Sequence, residues 1–459
     1  MGEHAGHMRI AVAGATGFVG RALVRALLSE GHKPVALARH LAVIAGATSL
    51  KVDIGDEEAV RLALTGCGAA YYLVHSLERS DFRSRDRELA EIFGRAAASV
   101  GVQRIVYVGG LGEHPTSEHL KSRQETGRAL ARAGVPLVEL RAAVVLGAGS
   151  ISFEMLRYLT ERLPFMVCPR WVRTRIQPVA LRDMLSYLVE ALRVEPGTYD
   201  IGGADVTTYR DMIATFASVR GLWPRRIVDV PYLTPHLSSY WVDLVTPVDR
   251  RVSHALIESL GTEVIVEDAA RTEAAFTVRP IGVRDAIIQA LDEQAVDVGS
   301  NLLDRASGLV DGIYSERVSV PIKSDQAAAA AADFERVGGS YEWYGLAFAW
   351  RIRRGIGFIL GERWRLHRAP AIRAGEHVDW WNVVHRRSRE LVLRGDGWHP
   401  GDAWLGWRVD ERELVQVGAL RPKGVPGLVY WNLLQPVHRR VFLTLARYRR
   451  DRAASPTGS

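Results

Sequence analysis

The stretch IAVAGATGFVG, residues 10–20, decides the fold of this chain. A buried strand from Ile10 to Ala13 runs directly into glycines, and helical spacing follows from Phe18 to Leu28. Glycines at such a turn let the backbone bend tightly and approach a ligand, while the free N–H groups at a helix N-terminus receive negative charge. The stretch therefore predicts a binding site for the pyrophosphate of a dinucleotide. We expect this site to be formed by Gly14, Thr16, Gly17, Phe18, Val19 and Gly20.

Working outward, short apolar runs alternate with segments of helical spacing. Helices are predicted near residues 80–100 and 118–133. Strands alternating with helices of this length imply βαβ crossovers and a parallel sheet covered on both faces. The fold class is therefore α/β, with a doubly wound Rossmann domain over residues 8–295 whose part after residue 225 forms a lid or extension. The predicted strands after the first are 35–38, 50–53, 69–74, 105–108, 135–140 and 199–201.

Two strand ends bear on the choice of cofactor. An acidic residue after the second strand would bind the adenosine ribose, whereas arginine accommodates a 2′-phosphate. The sequence has Arg39 there, which favours NADP over NAD; a plain surface arginine would leave NAD open. After the third strand, the Asp53 carboxylate or the Ile54 backbone could meet the adenine amino group. Alternatively, Asp53 caps the helix that begins near Asp56.

Composition excludes several classes of protein. The 459 residues are 47% hydrophobic and 24% charged, as in a folded globular protein, and the mean hydropathy is −0.02. No apolar run approaches the ~20 residues that span a bilayer. Two cysteines cannot make a disulfide framework, residues 1–7 do not resemble a signal peptide, and the 14 histidines lack zinc-ligand spacing. We therefore expect a cytoplasmic protein without a metal site.

The chain from residue 311 to 450 differs in composition. It is rich in tryptophan, and alternating runs at 390–393 and 405–409 suggest antiparallel strands with one buried face. An alanine run at 327–332 suggests a helix start. Residues 296–310 are interpreted as a linker to this second domain. Helical spacing between 428 and 450 aligns Leu433, Val437, Val441, Leu445 and Tyr448.

The first domain resembles the short-chain dehydrogenase/reductase superfamily, and in particular its atypical members of the nitrogen-repression-regulator and complex-I-subunit kind. The resemblance covers residues 8–295. It implies that Val74 and His75 pass beside the nicotinamide ribose, and that Gly109 and Gly110 border the reaction site. Beyond the glycine loop it is carried by the segments 71–76 (YYLVHS), 108–112 (VGGLG), 176–183 (IQPVALRD) and 200–203 (DIGG).

The catalytic residues of that superfamily are replaced in this chain. Members usually have a tyrosine and a lysine four positions apart, and a partner serine. Here His119 stands at the tyrosine position, Arg123 stands at the lysine position, and glycines occupy the serine region. His119 could act as an acid with a pKa near 6.5, and Arg123 could hold the ribose, although arginine cannot give up a proton. His119 could equally be an ordinary residue of the helix surface.

The second domain resembles an uncharacterised bacterial domain fused to such reductases and, distantly, the helix-grip fold of polyketide cyclases and START proteins. That resemblance implies an α+β domain in which an antiparallel sheet wraps a long C-terminal helix and leaves an apolar cavity. The tryptophans could instead simply fill the core. The resemblance is carried by Trp343–Gly345, Gly375–Trp381, Gly427–Trp431 and Pro436–Arg439.

Together these features predict an NADP(H)-binding oxidoreductase that reduces an apolar carbonyl or quinone-type molecule. The alternative is a non-catalytic NAD(P)H-binding redox sensor or an assembly and regulatory protein, which the loss of the tyrosine–lysine pair favours. The net charge of +7 and pI of about 9.5 come without a nucleic-acid-binding motif, so no nucleic-acid partner is predicted. The arginine-rich C-terminal helix also suggests peripheral contact with the inner membrane face. Core packing explains the same apolar spacing, and the oligomeric state is left open.

Overall fold

The computed structural model divides the chain into two compact units, 1–160 with 165–291 and 161–164 with 292–459. The structure describes residues 7–112 except 78 and 80, then 117–230, 260–340, 371–396 and 400–454. Between 340 and 371 it describes positions 343, 348, 351, 352, 354, 355, 358, 366, 367 and 369.

A seven-stranded sheet forms the centre of the described part of the first unit. Its order is β11-β6-β5-β4-β1-β2-β3, and every pair is parallel. This is the arrangement of a doubly wound dinucleotide-binding fold, in which the strand order reverses between β1 and β4. The strands are β1 (Arg9–Ala13), β2 (Lys33–Ala38), β3 (Thr48–Lys51), β4 (Ala69–Tyr72), β5 (Arg104–Gly110), β6 (Leu137–Ala142) and β11 (Gly197–Ile201).

Helices cover both faces of this sheet. One apolar cluster buries Val60, Phe93 and Leu130 against one face, and a second buries Leu23 and Leu188 against the other. The predicted doubly wound α/β class is confirmed. The helices are α1 (Phe18–Ser29), α2 (Glu57–Leu64), α3 (Phe82–Ser99), α4 (Glu118–Ala131), α5 (Ile151–Arg162), α6 (Leu181–Glu190), α7 (Tyr209–Val219), α8 (Ala269–Ala275) and α9 (Val283–Ser300).

Among the described residues of the first unit, three short strand pairs lie outside the central sheet, and one of their strands, Arg226–Val230, belongs to the predicted extension. Much of the extension, residues 231–259, lies outside the described residues. The pairs are β7 (Val145–Leu146) with β10 (Val179–Ala180), β9 (Arg175–Ile176) with β12 (Thr207–Thr208), and β8 (Phe165–Pro169) with β13 (Arg226–Val230).

The second unit contains an antiparallel sheet of seven described strands in the order β14-β15-β20-β19-β18-β17-β16. The antiparallel strands predicted at 390–393 and 405–409 are confirmed, and the structure pairs them with each other, with Leu391 opposite Trp407. Helix α10 (Ser324–Ala332) contains the alanine run, and α11 (Gly424–Ala454) ends the described chain. The strands are β14 (Gly308–Val310), β15 (Ile313–Pro321), β16 (His377–Val378), β17 (Trp381–Arg387), β18 (Glu390–Gly395), β19 (Gly401–Val409) and β20 (Glu413–Pro422).

Helix α11 packs across this sheet on one face. A Cβ added to Gly418 on β20 would lie 2.4 Å from the Phe442 ring, so the glycine admits the helix to close range. Tryptophans at 343, 380, 381 and 407 are buried in the cluster on this face, and Trp404 is buried in the cluster on the other. A long helix on an antiparallel sheet is compatible with the helix-grip prediction. These five tryptophans fill the core, whereas Trp350, Trp364 and Trp398 lie outside the described residues.

Residues 296–310, interpreted above as a linker, have secondary structure through much of their length. Helix α9 continues to Ser300, a 3₁₀ turn follows at Leu302–Asp304, and β14 pairs with β15. Leu302 and Leu303 are buried in the core of the second unit. None of the helices in the described ranges combines the length and apolar character that crossing a bilayer requires.

Candidate active site

The three glycines after β1 have three different surroundings. Gly14 has a φ of +83°, and a Cβ there would lie 2.7 Å from the Leu73 carbonyl oxygen. A Cβ at Gly20 would lie 2.2 Å from the Gly14 oxygen, because α1 approaches the loop closely. A Cβ at Gly17 would lie 3.3 Å from that same oxygen, its nearest contact beyond the adjoining residues, and Gly17 is exposed. Gly14 thus allows the turn, and Gly20 allows the close contact between α1 and the loop. Gly17 leaves open the space through which a pyrophosphate would approach.

The start of α1 is suited to an anion. Gly17 is its N-cap in an extended conformation, with φ −72° and ψ 172°, and the first turn contains no acidic residue. Thr16, Phe18 and Val19 are half-buried around this turn. The first backbone N–H groups of α1 have no partners within the helix. No carboxylate in the first turn of α1 competes with a ligand for them. These residues fit the pyrophosphate of a dinucleotide.

At the adenosine end the structure places Arg39 directly after β2. The side chain is exposed and has no ion pair with the described residues. Asp53 is also exposed, and its Oδ1 accepts a hydrogen bond from the Gly55 N–H at 2.8 Å. The alternative that Asp53 caps α2 is wrong, since Asp56 Oδ1 accepts from the Ala59 N–H at 3.0 Å. Ile54 is buried in the core.

At the other end, Val74 and His75 follow β4, while Gly109 and Gly110 end the neighbouring strand β5. A Cβ at Gly109 would lie 2.5 Å from Glu139 Oε1. One at Gly110 would lie 2.9 Å from the Leu120 side chain. The space that a serine side chain would need is therefore occupied by neighbours, which is a physical reason for glycine at both positions.

His119 lies in the first turn of α4, and Arg123 lies one turn later. Ser117 caps this helix by accepting a hydrogen bond from the Leu120 N–H at 3.3 Å. Burial, the Arg123 charge and the nearby His75 lower the pKa of His119 to about 3. Burial and Arg123 likewise lower the pKa of His75 to about 4. His75 is exposed and His119 is half-buried, as side chains on the wall of an open cleft are.

These pKa values correct one expectation. An imidazole with the ordinary pKa of 6.5 would be partly protonated at neutral pH, but His119 is neutral there because its protonated form is poorly solvated and repelled by Arg123. His119 therefore presents a neutral ring, which can donate one hydrogen bond and accept another. The structure brings His75, His119 and Arg123 together, although 44 positions separate the two histidines.

Buried polar groups underlie this cleft. The Tyr107 hydroxyl donates to the Arg123 carbonyl oxygen at 2.9 Å, which ties α4 to β5. Asp86 accepts from the Ser122 hydroxyl at 3.1 Å, and burial raises the pKa of Asp86. The Tyr72 hydroxyl has no hydrogen-bond partner among the described residues. The hydrogen bonds of Tyr107 and Asp86 fix the position of the α4 turn that presents His119 and Arg123.

Sequence reasoning missed Asp86 and Glu139. Asp86 shares the buried face of α3 with Leu89, Ala90 and Phe93. The sequence could have revealed it, because an acidic residue at helical spacing among apolar residues indicates a buried carboxylate. Glu139 interrupts the buried run of β6, and its Oε1 lies 3.4 Å from Arg141 Nε. An acid inside a buried parallel strand is uncommon and marks a position for inspection. Within the described ranges, no cluster of three His, Cys, Asp or Glu could hold a metal ion.

Two family models match the chain. One, described as NAD(P)H-binding, covers residues 14–139, and the other, a protein of unknown function termed DUF2867, covers residues 311–444. The first therefore includes the glycine loop and the first half of β6, and the second includes strands β15 to β20 and most of α11.

Two curated relatives each align with just under half of this chain. An uncharacterised protein of Mycobacterium tuberculosis is 28% identical over 209 residues, which are 45% of this chain and 23% of that protein. The chain thus spans about a quarter of that relative's length. A ceramide reductase of Caulobacter vibrioides is 26% identical over 231 residues, or 48% of this chain and 72% of the reductase.

Solved structures show the fold. UDP-glucose 4-epimerase from Thermotoga maritima, with UDP-glucose, superimposes with a TM-score of 0.51 at 15% identity, covering 63% of this chain and 99% of the epimerase. WbmG from Bordetella bronchiseptica, with NAD and UDP, superimposes with a TM-score of 0.50 at 15% identity, and the match covers 63% of this chain and 94% of WbmG. With the family matches, they confirm the resemblance: the chain joins an NAD(P)H-binding Rossmann domain, similar to that of the short-chain dehydrogenases/reductases, to a separate DUF2867 domain.

Proposed function

We propose that this protein is an NADP(H)-dependent oxidoreductase that reduces an apolar carbonyl or quinone-type substrate. The proposal rests on the cluster of His75, His119 and Arg123. This cluster lies at the carboxyl ends of the parallel strands, as does the glycine loop. In parallel sheets of this kind, ligands bind at the carboxyl ends of the strands. The similarity to a ceramide reductase supports a lipid-like substrate class.

The chemistry divides between cofactor and chain. When bound, a reduced nicotinamide supplies the hydride. The neutral ring of His119 donates a hydrogen bond to the carbonyl oxygen of the substrate, and the permanent charge of Arg123 stabilises the negative charge that develops on that oxygen. A solvent proton then completes the alcohol. The test is single-turnover oxidation of NADPH, followed by absorbance, with quinones and long-chain ketones as substrates.

A redox sensor is the second candidate function. It is supported by the same geometry, because Gly109 and Gly110 offer no hydroxyl and His119 is not protonated at neutral pH. In that case the protein binds NADPH tightly but oxidises none of it with any substrate in the panel. The DUF2867 domain then serves as the regulatory or assembly module.

Arg39 gives a prediction about the cofactor. We expect NADPH to bind about tenfold or more tightly than NADH, because charge-assisted hydrogen bonds to a 2′-phosphate are worth ~1.5–3 kcal/mol. Arg39→Ala should abolish most of this preference while leaving NADH affinity unchanged. Calorimetric titration of both cofactors measures it. Arg132→Ala is the matched control, since Arg132 is an exposed arginine at the C-terminus of α4, at the opposite edge of the sheet. Equal affinities in the parent protein would refute the NADP assignment.

A further inference from the structure

The outward face of the first half of α11 is apolar. Val425, Val429, Leu433 and Val437 follow one another at intervals of four residues, so they form one stripe along the helix. All four side chains are exposed, Val429 by 57% and Leu433 by 73%. Tyr430 is exposed beside them. We call these five residues the α11 stripe.

The opposite face of α11 is already buried in its own domain. Trp431 stacks on Tyr314 with ring centroids 5.7 Å apart, and Phe442 packs over Gly418. Leu445 and Ala446 are buried further along the helix. These contacts hold α11 on the sheet, on the side of the helix away from Val429 and Leu433. The apolar spacing noted in the sequence thus divides between the two faces: Leu445 is buried, whereas Leu433 and Val437 are exposed.

Charge along the helix is of one sign. From residue 424 to 450 the sequence has five arginines and no aspartate or glutamate. Continuing along the outward face after Val437, Arg440 and Arg447 are exposed and have no ion pair with the described residues. Arg439 is 78% exposed, and its Nε lies 3.7 Å from Glu316. The outward face is therefore apolar in its first half and cationic in its second.

We propose that the α11 stripe, with Arg439, Arg440 and Arg447, docks on the surface of an anionic lipid bilayer. A helix that presents apolar side chains together with arginines can lie at a membrane interface, with the apolar groups among the acyl chains and the cations among the headgroups. A second copy of this helix fits the surface less well, because residues 424–450 contain no acidic side chain to pair with these arginines. The proposal does not rest on the proposed enzymatic function.

Flotation of the full-length protein with lipid vesicles tests this proposal. We expect the protein to float with vesicles of phosphatidylcholine that contain about one-third phosphatidylglycerol, to float much less with phosphatidylcholine alone, and to dissociate as salt is raised. The double variant Val429→Glu/Leu433→Glu should lower the partition coefficient at least about tenfold. Arg440→Gln should lower it about fivefold.

Val296→Glu is the matched control, because Val296 is a 60% exposed valine on α9, and the neighbouring Ala295 and Val298 are buried in the cluster on the sheet face that α11 does not cover. This variant should float like the parent, and all variants should keep the parent's circular dichroism and NADPH affinity. Equal flotation by the double variant, or equal binding to neutral and anionic vesicles, would overturn the proposal. So would a concentration-dependent dimer in light scattering that the double variant abolishes while no vesicles are bound.

Discussion

Gly17→Val is expected to abolish cofactor binding while leaving the fold intact. The residue has φ −72° and ψ 172°, which valine adopts without strain, and an added Cβ would meet one atom, at 3.3 Å. The rest of the side chain would project into the open space before α1. The valine side chain would block the approach of a pyrophosphate to the amides there. The loss of two charge-assisted hydrogen bonds alone weakens the affinity for the cofactor by more than about a hundredfold.

The measurement is calorimetric titration with NADPH together with a thermal unfolding curve. Gly20→Ala is the informative comparison, because its Cβ would lie 2.2 Å from the Gly14 oxygen and the backbone would have to move. We expect Gly20→Ala to lower the melting temperature, whereas Gly17→Val should leave it within a few degrees of the parent. An NADPH affinity of Gly17→Val within about twofold of the parent would contradict the assignment of the loop.

Sequence analysis succeeded where local pattern and tertiary structure agree. The strand, glycine loop and helix at residues 10–28 are short-range features, and β1 and α1 form where they were predicted. The third strand was placed too late, at 50–53 instead of Thr48–Lys51. Val52 is buried and its N–H still donates to the Ala38 carbonyl oxygen, so the apolar signal extends beyond the end of the strand.

The electrostatics of the cleft could not be predicted from the sequence. His119 was chosen by its position in a helix, and its ordinary pKa was the natural starting assumption. The low pKa depends on burial and on Arg123 and His75, and His75 comes from the end of a different strand. Adjacent β4 and β5 bring these residues together, so the strand order was the missing information. The buried residues Asp86 and Glu139 were not predicted, because a charged residue in a sequence is normally interpreted as lying on the surface.

His119→Ala should separate the enzyme from the sensor. If the His119 ring stabilises the developing oxyanion, its removal should slow single-turnover NADPH oxidation by ~10²–10⁴. His119→Gln should recover part of the rate, because an amide also donates a hydrogen bond. NADPH affinity should remain within about twofold of the parent, since the glycine loop belongs to β1 and α1. His377→Ala, which removes a half-exposed histidine of the second unit, is the matched control.

The pH profile adds an independent test of the same role. Because the pKa of His119 is lowered to about 3, the ring is neutral at every pH above roughly 5, and the rate should show no step near 6.5. Loss of rate is expected only as the pH falls towards the lowered value, where protonation removes the neutral ring. A step near 6.5 that His119→Ala abolishes would show that the residue acts as an imidazolium acid instead. Unchanged turnover in His119→Ala would remove the residue from the mechanism, and tight NADPH binding without turnover on any substrate would favour the sensor.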